Sequence, residues 1–510
     1  MHPIQHAKDK PDHPAAIMAG SGDSLTFGKL NETANRVAQM LRAKGLNAGD
    51  VIAVYLENRL EYFPIFWGAQ RSGVTLVPVS THLTAAETAY ILSDSGAKIV
   101  ITSTRFGAMT DGLRKEVPET ELLIFDSGDA EDAETIIASY PAEPINDQSV
   151  GAVMLYSSGT TGRPKGIKPA PPADPAVMAM PPLAMVMTHM MGVPSDGSCT
   201  YLAPGPLYHA APLIWATTVH RLGGTVVVME KFDPEGALAA IEKYKVDTTQ
   251  WVPTHFVRML KLPKEVRTRY DLQHHKRAIH AAAPCPPDVK RAMIEWWGPI
   301  ILEYYAGSEG NGMTMVKSED WLTHPGTVGR PIFGELHVCD GNGEDVPTGE
   351  IGLIHFASEQ KFAYHNDPEK TQEATNKHGW TTLGDIGKVD EEGFLYLTDR
   401  KSHMIISGGV NIYPQEIENL LITHAKVQDA AVIGAPDPDM GERVVAVVQP
   451  ADMGDAGEGL AEELLEFLGG SLARLKLPRQ IDFRAELPRE ANGKLYKRKL
   501  RDEYEAAAEG

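Results

Sequence analysis

The sequence predicts an α/β protein. It reads as a large N-terminal domain of two α/β sheet lobes plus a β-rich subdomain, followed by a small α+β C-terminal domain. Three observations predict this. Short apolar runs alternate with helical stretches from Lys29 to Ile101, and again from Thr225 to Gly298. That is the pattern of βαβ units and a mostly parallel sheet. From Thr327 to Leu397 the segments shorten between the turns Asp340-Gly341-Asn342-Gly343, Pro347-Thr348-Gly349 and Glu391-Glu392-Gly393, as in antiparallel structure. After Arg400 the chain restarts as a unit of about 110 residues, a normal domain size. The expected domains are therefore 1–400 and 401–510.

Lys29–Lys44 reads as a helix. Leu30, Ala34, Val37, Ala38 and Leu41 share one face and Gly45 stops it. Val51–Tyr55 follows as a buried strand, then a helix over Phe63–Arg71, ended by Gly73. Val74–Val77 and Lys98–Ile101 read as strands around a helix at Ala86–Ser93. In the second lobe, Thr225–Met229 and Thr248–Val252 are expected strands, and Pro234–Tyr244 and Pro287–Trp297 expected helices. In the C-terminal unit a helix over Pro414–Thr423 precedes strands at Ala430–Ile433 and Val444–Gln449. A Gly- and Asp-rich loop, Met453–Gly459, then leads to a helix ending at Ala473. The strand order within each lobe is not readable from these patterns.

The chain has 510 residues, 43% hydrophobic and 23% charged, with 48 Lys+Arg against 68 Asp+Glu and a formal charge of −20. So acidic a surface disfavours nucleic acid and anionic membranes. Any polyanionic ligand must be held by a local positive site. The 3 cysteines, Cys199, Cys285 and Cys339, are too few and too scattered for a disulfide framework. Met1–Lys8 has no apolar run of the secretory kind and no stretch is long enough for a membrane span. The expectation is a cytoplasmic enzyme that can form a homodimer.

Tyr156–Gly166 is the most informative segment. Gly159, Gly162 and Gly166 let backbone amides approach an anion. Ser157, Ser158, Thr160 and Thr161 add hydroxyls, and Arg163 and Lys165 add positive charge. A Ser/Thr/Gly run is elsewhere a solvated turn, but this density suits the phosphates of a nucleoside triphosphate. It is not the P-loop pattern, because Pro164 precedes Lys165 and Gly166 follows it. His274, His275, His280 and Cys285 are not spaced as a standard zinc site.

The segment resembles the signature of the adenylate-forming (AMP-binding) superfamily, in its acyl-CoA synthetase branch, and the resemblance extends over essentially the whole chain. It implies that Ser157, Ser158, Gly159, Thr160, Thr161, Gly162 and Lys165 bind ATP. Tyr305-Ala306-Gly307-Ser308-Glu309-Gly310 matches a second core motif. The match implies Tyr305 stacked on adenine, Ser308 at the α-phosphate and Glu309 on Mg²⁺. Ala306 stands where the family usually has Gly. Ala282, Ala283 and Pro284 fall in the turn that lines adenine. Asp385 and Arg400 fall at the ribose positions, although an Asp after a Gly is otherwise a common turn residue. Pro206–Pro212 resembles the acyl-pocket motif and implies that His209 lies near the acyl carboxylate, where amino-acid-activating relatives usually place an Asp.

Glu486–Leu495 matches the motif whose lysine serves adenylation, which implies Lys494 as catalytic together with His209. Elsewhere a basic run such as this one is a solvated face. Ser407, Gly408 and Gly409 match the loop along the CoA pantetheine path. Ser402 holds the hinge position, where the family often has Asp or Lys. The expected acyl pocket is His209, Trp215, Trp251, Val252 and Thr254, with the Met-rich stretch Met178–Met191. Met and Trp make wide, adaptable apolar walls, although Met runs are more often plain core. The resemblance implies an ATP-dependent acyl-CoA ligase for a medium- to long-chain or bulky alicyclic acid, using ATP, Mg²⁺ and CoA. Two alternatives remain at this point: loading of a carrier-protein thiol, and a non-catalytic nucleotide-binding relative.

Overall fold

The computed structural model describes residues 2–157, 164–168, 176–360, 362–489 and 495–509. The chain forms two compact units. The first comprises Met1–Trp251, Lys261–Ile279 and Gln360–Thr371, and the second Val252–Leu260, His280–Glu359 and Gln372–Gly510.

The first unit holds two parallel sheets. In one, Thr75–Pro78, Val51–Val54, Ala97–Ser103 and Glu121–Phe125 lie side by side in that order. In the other the order is Thr248–Trp251, Thr200–Ala203, Thr225–Val228 and Pro14–Met18, with Ser24–Thr26 added antiparallel at the edge. Most residues of these parallel strands are buried, which explains their continuous apolar runs. A small antiparallel sheet of Leu155–Ser157, Lys165–Lys168 and Ala363–Tyr364 frames the expected phosphate loop.

Helix Phe27–Ala43 starts two residues before the sequence expectation because the Thr26 hydroxyl accepts from Lys29 N and caps it. Helix Ala85–Ser95 carries a full capping box, Thr84 with Glu87, and ends at Gly96 with φ +68°. The strand at Pro14–Met18, which joins the second of these sheets, has no counterpart in the sequence reading. Its five residues follow a polar, Pro-containing start, and only the pairing with Thr225–Val228 makes it a strand.

The second unit is antiparallel where the sequence is turn-rich. Ile301–Ala306, Met313–Lys317 and Arg330–Phe333 form one meander. Glu335–Cys339, Gly352–Ala357, Thr381–Val389 and Leu395–Arg400 form another. Beyond Arg400 the sheet order is Val410–Ile412, Ile405–Ser407, Gly441–Pro450 and Val427–Asp437, and Gln480–Phe483 pairs parallel to Gly441–Pro450. Helices Pro414–Leu421 and Glu458–Gly469 cover it with Ile417, Leu421, Leu460, Leu464 and Leu468. The long hairpin exceeds both strands expected there. Its ends are polar, and Gly441 (φ +79°) with Asp437 closes the turn. Among the described residues no helix is long and apolar enough to cross a membrane.

Candidate functional site

The strand Ile301–Ala306 delivers Tyr305 to the site, and Asp385 and Arg400 face each other across the pair Thr381–Val389 and Leu395–Arg400. The Tyr305 hydroxyl donates to Asp385 Oδ2 at 2.7 Å, and Arg400 Nε donates to Asp385 Oδ1 at 3.1 Å. Tyr305 and Arg400 thus share the Asp385 carboxylate. Burial, then the charge on Asp385, holds the Tyr305 phenol well above its ordinary pKa, and Asp385 raises that of Arg400. Gly384 has φ +83°, a backbone conformation that favours glycine just before the carboxylate.

Glu309 is half-buried in the turn after the same strand. A Cβ on Gly307 would stand 2.7 Å from Glu309 Oε2 and 2.5 Å from Leu383 Cδ2, so a side chain there would push both side-chain ends aside. Ser308 is exposed beside it. Among the described residues no group of three or more His, Cys, Asp or Glu could hold a metal. A single carboxylate completed by phosphate oxygens is nevertheless the donor set that Mg²⁺ favours, and Glu309 fits it.

Ala282 lies in the left-handed region with φ +76° and is exposed, with Ala283 half-buried and Pro284 exposed after it. Backbone strain of this kind persists only where the surroundings enforce it. Under the turn, Lys290 Nζ meets Glu303 Oε2 at 2.5 Å, His280 Nε2 lies 3.6 Å from the same oxygen, and all three residues are buried. Nothing in the spacing of His280, Lys290 and Glu303 announces this cluster. The available signal was Lys290 sitting on the apolar face of helix Pro287–Trp297 with Val289, Met293 and Ile294.

His209 stands at the N-terminus of helix Ala210–Leu222, half-buried, with its ring 4.6 Å from that of Tyr208. Trp215, on that helix, and Trp251 are core residues, 2% and 1% exposed. These three belong to the first unit, whereas half-buried Val252 and Thr254 belong to the second. Met187 and Met191 are buried, whereas Met178, Met180 and Met185 are exposed. Ser407 is buried at the end of its strand, and Gly408 and Gly409, at φ +57° and +79°, form the tight turn after it. Ser402 is exposed, and its carbonyl accepts from Arg501 Nη1 at 3.1 Å. Lys165 begins the strand that follows the expected phosphate loop, and Ser157 ends the strand that precedes it. Ser158, Gly159, Thr160, Thr161, Gly162 and Lys494 lie outside the described residues.

The family description "AMP-binding enzyme" matches residues 4–363, and "AMP-binding enzyme C-terminal domain" matches residues 416–494. The chain belongs to the AMP-binding enzymes. It is similar to the long-chain-fatty-acid–CoA ligase FadD13 of Mycobacterium tuberculosis, at 31% identity over 98% of this chain and 97% of that protein. It is also similar to the fatty acid–[acyl-carrier-protein] ligase ScoC of Streptomyces coeruleorubidus, at 32% identity over 98% and 95%. Among solved structures it is similar to the o-succinylbenzoate CoA synthetase MenE from Bacillus subtilis in complex with its acyl-adenylate intermediate. There the TM-score is 0.83 and the identity 26%, over 98% of this chain and 97% of that one. The mixed α/β architecture is that of the adenylate-forming enzymes, and the likeness lies in their acyl-CoA synthetase branch.

Proposed function

We propose that this AMP-binding enzyme activates a medium- to long-chain or bulky alicyclic carboxylic acid with ATP and passes it to CoA. The acid–thiol ligase activity follows from the family. The acid class and the residue roles are our own reading. The observation that carries the nucleotide-binding roles is the sharing of Asp385 by Tyr305 and Arg400. It sets an aromatic ring and a hydroxyl-binding carboxylate at a spacing suited to adenine and ribose.

In the first half-reaction the acid's carboxylate oxygen attacks the α-phosphorus of ATP and pyrophosphate leaves, giving an acyl-adenylate. Charge grows on the phosphate oxygens. Amides and hydroxyls of Ser157–Gly162, with Lys165 and Ser308, are assigned to hold them, and Lys494 to bridge the incoming carboxylate and the α-phosphate. Mg²⁺ bound with ATP would supply further charge neutralisation beside Glu309. In the second half the CoA thiol attacks the acyl carbonyl and AMP leaves. The turn Ser407-Gly408-Gly409 has no side chain to obstruct the thin pantetheine arm at its two glycines. His209 is assigned to the acyl carboxylate, and Trp215, Trp251, Val252 and Thr254 to the acyl pocket. Domains 1–400 and 401–510 would exchange these tasks by rotation about Ser402. A cytoplasmic location and a homodimer complete the proposal, the latter checked by light scattering.

The test is a pyrophosphate-release screen over acids of graded size, with Lys494→Ala as control. The largest rates are expected with the longer or bulkier acids, and a loss of about 100-fold or more in the variant. No release with any acid, or thioester formed from ATP and free acid at the undiminished rate in Lys494→Ala, would refute it. ScoC, at comparable identity, favours a second acceptor, a carrier-protein thiol. Parallel assays with free CoA and a phosphopantetheinylated carrier protein separate the two.

A further inference from the structure

The strand Leu155–Ser157 enters the phosphate loop and the strand Lys165–Lys168 leaves it, paired antiparallel with Tyr156 opposite Gly166. The Tyr156 ring lies across Gly166, where a Cβ would stand 3.0 Å from Tyr156 Cζ. The departing strand also pairs with Ala363–Tyr364, and His365 N donates to the Gly166 carbonyl at 2.7 Å. Asp94, in the last turn of helix Ala85–Ser95, bonds to both sides of this arrangement. Its Oδ2 accepts from the Tyr156 hydroxyl at 2.6 Å. Its Oδ1 accepts from Asn366 Nδ2 at 3.2 Å, and its carbonyl oxygen accepts from His365 Nε2 at 2.9 Å.

A carboxylate at a helix C-terminus opposes the helix dipole, and no basic residue occupies this last turn. The helix therefore gains nothing from an Asp at position 94, whereas the loop's two flanking strands do. Lys165 Nζ also lies 5.5 Å from the centroid of the Tyr364 ring, so the same short strand guides the loop's lysine. A cleft of about 320 Å³ opens beside the latch, lined in part by Tyr90, Asp94, Lys165 and His365.

We infer that Asp94 is a positioning residue for the phosphate loop. Through Tyr156 on one strand and His365 and Asn366 on the segment bound to the other, it fixes the separation of the loop's two ends and thereby sets the affinity for ATP. The inference rests on the ATP-binding role proposed above, and Asp94 itself touches no substrate.

The test is calorimetric titration of the full chain with ATP, together with steady-state kinetics, for Tyr156→Phe, Asp94→Ala and Asn366→Ala. The expected result is a five- to tenfold weaker Kd and higher KM for ATP in the first two. KM values for acid and CoA should stay within twofold, and the double variant Tyr156→Phe/Asp94→Ala should be no weaker than the worse single one. Asn366→Ala, at an exposed residue, should give a two- to threefold effect, and Asn366→Gly, which removes the same bond and suits the φ of +55° there, serves if Asp94→Ala does not fold. Unchanged ATP affinity in Tyr156→Phe and Asn366→Ala, additive effects, or equal shifts for all three substrates would overturn the inference. Wild-type protein that binds ATP yet releases no pyrophosphate would instead refute the ligase reading and leave the calorimetric test of the latch intact.

Discussion

The Tyr305 hydroxyl and the Asp385 carboxylate are joined at 2.7 Å, although 80 residues separate them in the chain. The bond aims the carboxylate and fixes the ring that is assigned to adenine. Tyr305→Phe keeps the ring and removes the bond, so KM for ATP should rise about 3- to 10-fold with kcat nearly unchanged. Asp385→Ala also strips Arg400 of its partner and should cost roughly ten- to hundredfold. Pyrophosphate-release kinetics at varied ATP measure both.

The Lys290–Glu303 pair is buried on both sides, with His280 against the same oxygen. Removing one charge strands the other out of water. Glu303→Gln or Lys290→Met alone should therefore cost about 3–5 kcal/mol in urea unfolding, whereas Lys290→Met/Glu303→Leu together should recover most of it.

The lobes were legible because parallel strands buried on both faces leave continuous apolar runs such as Val51–Val54 and Thr225–Val228. The turn-rich middle was legible from its Gly and Asp punctuation. Strand order was not, since Pro14–Met18 becomes a strand only beside Thr225–Val228, some 210 residues away. At the site, residue types and spacing pointed to Tyr305, Asp385 and Arg400, but not to their mutual bonds, which depend on register between Thr381–Val389 and Leu395–Arg400. Tyr156 opens the most informative segment of the sequence, but nothing there pointed to its bond with Asp94. A lone Asp before a helix-ending Gly is an ordinary terminus until the sheet brings Tyr156 to it.

Ala282, at φ +76°, holds a conformation that costs a non-glycine residue about 1–2 kcal/mol. Ala282→Gly relieves this but adds about 0.5–1 kcal/mol of chain entropy, so stability should stay within about 1 kcal/mol of the parent. Ala282→Val places a β-branched side chain where that backbone rarely allows one. It should raise KM for ATP more than about tenfold if the turn lines adenine, as ATP-dependent kinetics would show. Equal KM values in the two variants would remove the turn from the site.

Burial of His220 sets the sign of a pH dependence. Trp67 Nε1 donates to its Nδ1 at 3.2 Å, and its Nε2 meets the Ala15 carbonyl at 3.0 Å, so the ring is neutral with its proton on Nε2. Burial lowers its pKa from 6.5 to about 3. Between those values the unfolded chain binds a proton that the folded chain refuses, so stability falls as pH falls through this window. The slope approaches about 1.4 kcal/mol per pH unit for this one group. His255 and His275, also lowered to about 3 by burial, add to it. His220→Leu leaves Trp67 Nε1 and the Ala15 carbonyl without their partner and should cost about 1–3 kcal/mol at pH 7. Its unfolding free energy should then decline less steeply between pH 5.5 and 4, by about one proton's worth. Urea titrations at stepped pH measure the difference, and parallel curves for parent and variant would show that His220 is protonated in the folded chain.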